Sequence, residues 1–225
     1  MFYLSEQSPN HDEKIRNRKA TQARIRRNRQ RGLDFEEEMF DAASRYLVLH
    51  LTLNYNAKFR DKVTLRTIQK HRDLLFRQID EYPHPLLEAI HGTIWKLEEG
   101  EKSGGLHLHL LIFYSAHRKS DILVARDIGE YWVEKVTDGW GDYWNSNACK
   151  ENLTRWGVGI GQVNRRDYLK RGSLQAFIAN YLAKADQVPH DRSEDDKLFG
   201  ARSFGYLQPA NSVHFRAASA SLHSY

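Results

Sequence analysis

Gly104-Gly105-Leu106-His107-Leu108-His109-Leu110-Leu111-Ile112-Phe113-Tyr114 is the stretch on which the fold turns. A Gly pair opens it, Leu, Ile and aromatics fill it, and Ser115-Ala116 closes it, the pattern of a β-strand. Side chains on a strand alternate between faces, so His107 and His109 project the same way. Leu106, Leu108, Leu110 and Ile112 then line the opposite face. Two imidazoles two residues apart on a rigid strand aim at one point, as a metal site requires. An isolated H-x-H is more often a solvated pair on an edge strand, or one partnered by carboxylates. On a strand this apolar, and so expected to be central, a polar pair needs a reason, and a metal is the favoured one.

Working outward, residues 89–98 read as the preceding strand, with Ile90, Ile94 and Glu98 on one face and Trp95 and Leu97 on the other. The turn Glu99-Gly100-Glu101-Lys102-Ser103-Gly104 would join the two as a hairpin. Residues 46–54 alternate cleanly, with Leu47, Leu49, Leu51 and Leu53 on one face, and predict a strand paired with the histidine strand. Between them, 61–80 carries Leu65, Ile68, Leu75 and Ile79 at helical spacing, with Pro83 and Pro85 beyond its end.

Downstream, 121–136 predicts a helix and 139–152 a Gly/Trp/Asn-rich connection. Residues 156–163 predict a strand weakened by its glycines. Gly172-Ser173 would open a last helix over 174–187, with Ser173 as N-cap, before a charged loop at 188–197. The order β-α-β-β-α-β-α predicts an α+β, ferredoxin-like split βαβ fold. Its central, mainly antiparallel sheet would carry the H-x-H strand, with helices packed on one face.

The chain has 225 residues, enough for one domain with extensions. We divide it into a basic N-terminal extension at 1–33, a domain at 34–205 and a Ser/Ala-rich tail at 206–225. Five Trp, ten Phe and eleven Tyr can supply a core. No apolar run approaches the ~20 residues needed to span a bilayer, and no signal-peptide apolar region is expected at the N-terminus. The single cysteine, Cys149, excludes an intrachain disulfide and fits a reducing cytoplasm.

The net charge of +5 is unevenly spread. Lys14, Arg16, Arg18, Lys19, Arg24, Arg26, Arg27, Arg29 and Arg31 occur with no acid among them, and Asp34, Glu36, Glu37, Glu38 and Asp41 follow at once. Such a block can be a solvated helix surface. Its density better suits an arm that binds phosphates through counterion release. Nucleic acid is favoured over membrane because the block has almost no large apolar residue to insert. We expect the arm to be mobile, or helical only when bound.

In the last predicted helix, Tyr181 and Lys184 fall on neighbouring parts of one face, together with Leu174, Ile178 and Ala185. Taken alone, Tyr181 is a core tyrosine with a satisfied hydroxyl. That changes if this face covers the one bearing His107 and His109. The ordered set of a strand H-x-H, an acidic turn before it and a helical Y-x-x-K after it resembles the HUH endonucleases of the rolling-circle replication initiator type, with Leu108 as the central hydrophobic residue. Leu51-Thr52-Leu53-Asn54 is similar to their first motif. The run 46–187, about two-thirds of the chain, most resembles the inovirus replication (gene II-like) proteins and their YagK/YfjJ relatives.

The resemblance implies that His107 and His109 bind Mg²⁺ or Mn²⁺, with a third ligand from the adjacent strand. Glu98 is the first choice for that ligand, with Glu99 and Glu101 as alternatives. Tyr181 would be the nucleophile, and Lys184 would stabilise the phosphate or help handle a proton. It further implies a bacterial host cytoplasm, single-stranded or hairpin origin DNA as partner, and a separate host helicase, since no phosphate-binding loop is present. With one motif tyrosine, a second transesterification would draw on another subunit, that is, a dimer.

A non-catalytic DNA-binding regulator on the same fold is the main alternative. Cupins also use H-x-H, but they are all-β and place a Glu soon after the second His, where residues 110–114 offer none. His50, His71, His84, His91 and His117 have no partner at ligand spacing. His50 is of interest because its strand should lie beside the histidine strand. The stretch Arg202-Ser203-Phe204-Gly205 could contact DNA, although a surface loop is the simpler expectation.

Overall fold

The computed structural model describes residues 9–82, 84–100, 104–184, 187–193 and 195–205. Its elements are α1 (Pro9–Ala42), β1 (Arg45–Tyr55), α2 (Leu65–Glu81), β2 (Ile90–Gly100), β3 (Gly105–Ser115), α3 (Asp121–Tyr131), β4 (Gly141–Asn145), β5 (Gly161–Asn164), α4 (Tyr168–Phe177) and β6 (Phe199–Ser203). The sheet runs β4-β1-β3-β2-β6, and β5 also pairs with β1. The histidine strand β3 is central, antiparallel to both β1 and β2. Since β1 and β2 are therefore parallel and joined through α2, the strands form a split βαβ within an α+β fold.

The Leu-rich face of β1 and β3 is dry. Leu47, Leu49, Leu51 and Leu53 join Leu108, Leu110 and Ile112 against α2 and α3. Helix α2 begins at Thr64, whose hydroxyl accepts from the Thr67 amide in a reciprocal capping box, and it buries Leu65, Ile68, Leu75, Phe76 and Ile79. Each such side chain contributes roughly 1.5–3 kcal/mol when fully buried.

Helices pack on both faces of the sheet, not on one as the sequence led us to expect. The histidine face is covered by α1 and α4, with Phe35, Met39 and Phe40 meeting Val48, Ile94, Leu111, Phe113, Leu174, Phe177 and Ile178. The stripe Phe35/Met39/Phe40 lies just beyond the basic block, so α1 is one helix running through the expected boundary at 33/34. Residues 14–31 are accordingly helical in the free chain, which differs from the mobile arm expected. Two glycines let α1 seat closely. A Cβ on Gly92 would lie 2.8 Å from Phe35 and Met39, and one on Gly32 would lie 2.6 Å from Ile178. Glu36, fully buried, accepts two bonds from the Arg171 guanidinium at 2.9 and 2.8 Å and one from Gln175 at 2.9 Å, fastening α1 to α4. Arg29 and Arg31 of the basic block donate to the carbonyls of Ala179 and Ala201.

Other boundaries also shift. Helix α4 starts at Tyr168, six residues before the expected position, because the Asp167 side chain caps it by accepting from the Lys170 amide. Ser173 is inside the helix and bonds the Leu169 carbonyl. The helix continues as a π-turn over Ile178–Leu182, closed by the Ala183 amide on the Ile178 carbonyl. Helix α3 ends the same way over Trp132–Val136. The predicted strand at 156–163 is reduced to β5, with Trp156 ending a 3₁₀ segment. Strand β4 lies inside the expected connection 139–152, and β6 follows the expected charged loop. Ile90 lies on the Leu-rich face, opposite to Ile94, because β2 bulges between Ile90 and Gly92. The proposed tail at 206–225 and Ala185 lie outside the described residues. No helix among the described residues is long and apolar enough to cross a membrane.

Candidate metal centre

The register of the three central strands sets the site. Glu98 of β2 lies opposite His107, Lys96 lies opposite His109, and Thr52 of β1 faces His109 from the other side. All five side chains share the face covered by α1 and α4. Glu98, His107 and His109 are 1%, 2% and 4% exposed, and one ligand atom from each falls within 4.8 Å of the others. Glu98 Oε2 is 2.9 Å from His109 Nε2 and 3.5 Å from His107 Nε2. Glu98 Oε1 forms an ion pair with Lys96 Nζ.

Hydrogen bonding on the far side of each ring tests whether the group fits a cation. His107 Nδ1 is 3.0 Å from the Gly105 carbonyl, which can only accept, so Nδ1 carries the proton. The lone pair of a neutral His107 then sits on Nε2, aimed at a carboxylate oxygen. Two electron-rich atoms so placed call for a proton or a cation between them. His109 Nδ1 is 3.2 Å from the Thr52 hydroxyl, which both donates and accepts. That ring can therefore carry its proton on Nδ1 and free Nε2 as a ligand atom. A ring nitrogen tied to a backbone carbonyl or hydroxyl while the other faces the site is the outer-shell pattern of metal-bound histidines. The group can hold a metal ion.

The electrostatics agree. Burial, with the His107 charge, lowers His109 to about 4 despite its bond to Glu98, so the ring is neutral and ligand-competent near pH 7. Burial by itself would raise the Glu98 carboxyl. Hydrogen bonds from His107 and His109 in their protonated forms, with the charges of His109 and Lys96, outweigh it and hold the carboxyl well below its usual range.

Glu99, an alternative third ligand, binds His190 instead, through the backbone amide at 2.8 Å and the ring at 3.1 Å. Glu101 lies outside the described residues. His50 adjoins the site, although ligand spacing in the sequence does not mark it. It is buried, stacks on His109 with centroids 5.5 Å apart, and is held by Ser146 Oγ at 2.8 Å from Nδ1. Burial, then the charge of His109, pushes its pKa well down. Lys96 also escapes sequence reasoning, although its two-residue spacing from Glu98 repeats the H-x-H spacing on the paired strand.

Tyr181 lies in the π-turn at the end of α4 and reaches this site. Its ring is 5.2 Å from that of His109 and 5.9 Å from that of His50, and it stacks on Phe177 at 4.8 Å. Trp156 packs beside it at 5.0 Å. Lys184 is beyond the helix, not on it, with Nζ 5.3 Å from the Tyr181 ring centre. Of the nine basic residues, Arg24 is partly buried and the other eight are distributed along α1. Arg202 is in β6 and pairs with Asp80, while Phe204 is buried against Phe76. Comparison with protein-family models, curated proteins and solved structures gave no match for this chain.

Proposed function

We propose that this protein is a metal-dependent enzyme that nicks and rejoins single-stranded DNA through Tyr181, in the manner of the HUH endonucleases it resembles, and that it initiates rolling-circle replication of a mobile element. The observation that bears most weight is the 5.2 Å approach of the Tyr181 ring to His109, which brings a phenol beside three convergent ligand residues. A core tyrosine needs no such neighbours.

Glu98, His107 and His109 would hold the ion, and two nitrogen donors suit Mn²⁺ better than Mg²⁺. Such an ion, when bound, screens the phosphodiester charge and polarises a non-bridging oxygen. Tyr181 supplies the nucleophile: its oxygen forms a bond to phosphorus, the P–O3′ bond breaks, the phenol proton leaves to solvent and the departing O3′ takes one up. The products are a 5′-phosphotyrosine and a free 3′-hydroxyl, so the bond energy is kept for rejoining. A phenol of ordinary pKa near ~10 attacks slowly, and the Lys184 ammonium beside the ring favours the phenolate. Thr52 and Gly105 orient the two imidazoles, and Phe177 and Trp156 fix the angle of the tyrosine ring. The exposed arginines of α1 contribute affinity for origin DNA, and unwinding falls to a separate host helicase.

The test is incubation with single-stranded DNA and Mn²⁺ followed by a denaturing gel. A covalent species carrying the DNA fragment 3′ to the cut is expected, abolished in Tyr181→Phe and slowed in Lys184→Ala. If the protein is instead a DNA-binding regulator, wild type and Tyr181→Phe will retard DNA equally on native gels and neither will form the adduct.

A further inference from the structure

A cleft of about 600 Å³ lies between α1 and the chain leading into β6. Arg24 and Arg27 line one wall, Arg192 and Lys197 the other, and Lys96 and Lys184 also border it. The acid among its described lining residues, Asp196, is already engaged by the Gln69 amide at 2.8 Å and the Ser193 backbone amide at 2.7 Å. Among the described residues no carboxylate lies within ion-pair distance of Arg24 or Arg27, and the carboxylate nearest in effect to Arg192 is Asp196, whose pKa its charge helps to lower. Burial lowers the Arg24 pKa, and the charges of Arg192 and Arg27 lower it further, as expected of guanidinium groups crowded together. Lys96 joins this cleft to the metal centre, since it borders the one and pairs with Glu98 of the other.

We propose that this cleft binds the backbone phosphates next to the one that is cut, with Arg24 and Arg192 gripping the strand from opposite walls. The proposal rests on the reading of single-stranded DNA as substrate and adds where the strand runs. It divides the basic block in two: Arg24 and Arg27 line the path, and the other seven basic residues of the block lie outside it. A volume of about 600 Å³, within the ~300–1,000 Å³ of small-ligand pockets, matches a short run of a single backbone better than the width of a duplex.

The test uses the full chain and a short labelled oligothymidine, with anisotropy followed across salt concentration. For each phosphate that a variant no longer neutralises, the slope of log K against log salt should shrink by about 0.7. The Arg24→Gln/Arg192→Gln variant should thus fall by about 1.4, and Arg192→Gln alone, a loop change that leaves α1 intact, by about half of that. Arg126→Gln/Lys135→Gln removes equal charge from the α3 region and should leave the slope unchanged. Equal slopes in wild type and the cleft variants, or equal reductions in the cleft and α3 variants, would overturn the proposal, as would duplex DNA competing as well as single strands. The adduct assay separates this from the nicking reading. Adduct formation with an unaltered slope rejects the cleft alone, whereas a cleft-specific slope change without any adduct keeps the cleft and rejects the nicking chemistry.

Discussion

The two faces of this sheet come from the same strands and have opposite chemistry. On one, Leu47 to Leu53 and Leu108 to Ile112 form a continuous apolar layer under α2 and α3. On the other, the half near Phe113 is as apolar as its counterpart, while the half near His107 gathers His50, Lys96, Glu98, His107 and His109 out of water. Burying so many polar groups is tolerated because they bond or pair with one another. The dry face therefore stabilises the strands that hold the polar groups in position, and the site is supported through the thickness of one sheet.

The largest effect should come from disturbing the dry face. Leu110→Ala is expected to cost about 2–5 kcal/mol, read as a lower urea midpoint with unchanged slope. His107→Ala, on the same strand and facing the other side, should cost less than half as much. Equal shifts would erase the distinction between the faces.

The next effect is specific to the polar half. With Mn²⁺ at a hundredfold excess over its Kd, wild type should gain about 2.7 kcal/mol, a rise in Tm of about 5–10 °C. His107→Ala/His109→Ala should gain nothing. A similar rise in the double variant would move the ion elsewhere.

The smallest effect concerns the edge that ties the two faces together. Asp121 of α3 is 2.6 Å from Lys150 and 2.9 Å from Asn147, and Asn147 in turn accepts from the His50 amide at 2.9 Å. Burial alone would raise the Asp121 carboxyl, but Lys150 and Asn147 outweigh it and lower the pKa. A lowered folded-state pKa means the stabilisation is complete above the unfolded value and disappears as pH falls through the folded one. Asp121→Asn should thus cost up to about 1 kcal/mol at pH 7, the difference fading below about pH 4. A difference that persisted in strong acid would show that the charge is not its source.

Much of this contrast is legible in the sequence. Period-two alternation defines β1 and β3, the helical spacing of Leu65 to Ile79 defines α2, and H-x-H with Glu98 on the paired strand anticipates the convergent triad. Strand alternation is a local rule, and those features obey it. What escaped depends on non-local facts. The apolar stripe of α1 is three residues beside an arginine-rich run, so charge masks the docking surface. Strands β4 and β6 are five residues each and are held by pairing with β1 and β2, with no pattern of their own. The bulge after Ile90 reverses its face without changing the composition. His50 joins the site only through the register of β1 against β3, and Lys184 falls past the helix end at Leu182.

The wide turn at the end of α4 has a consequence for how the chain tolerates change in length. A π-turn accommodates one residue more than the α-helix around it. Removing any one residue from Ile178–Leu182 would let the segment close as ordinary α-helix, with the preceding anchors Leu174 and Phe177 still in place. Because the wide turn absorbs the extra residue, the chain after the deletion would keep its phase, and the change would be confined to the turn that carries Tyr181. The phenol would shift against the imidazoles while the anchors before the turn stayed in place. A single-residue deletion scan therefore tests whether the wide turn is what places the tyrosine.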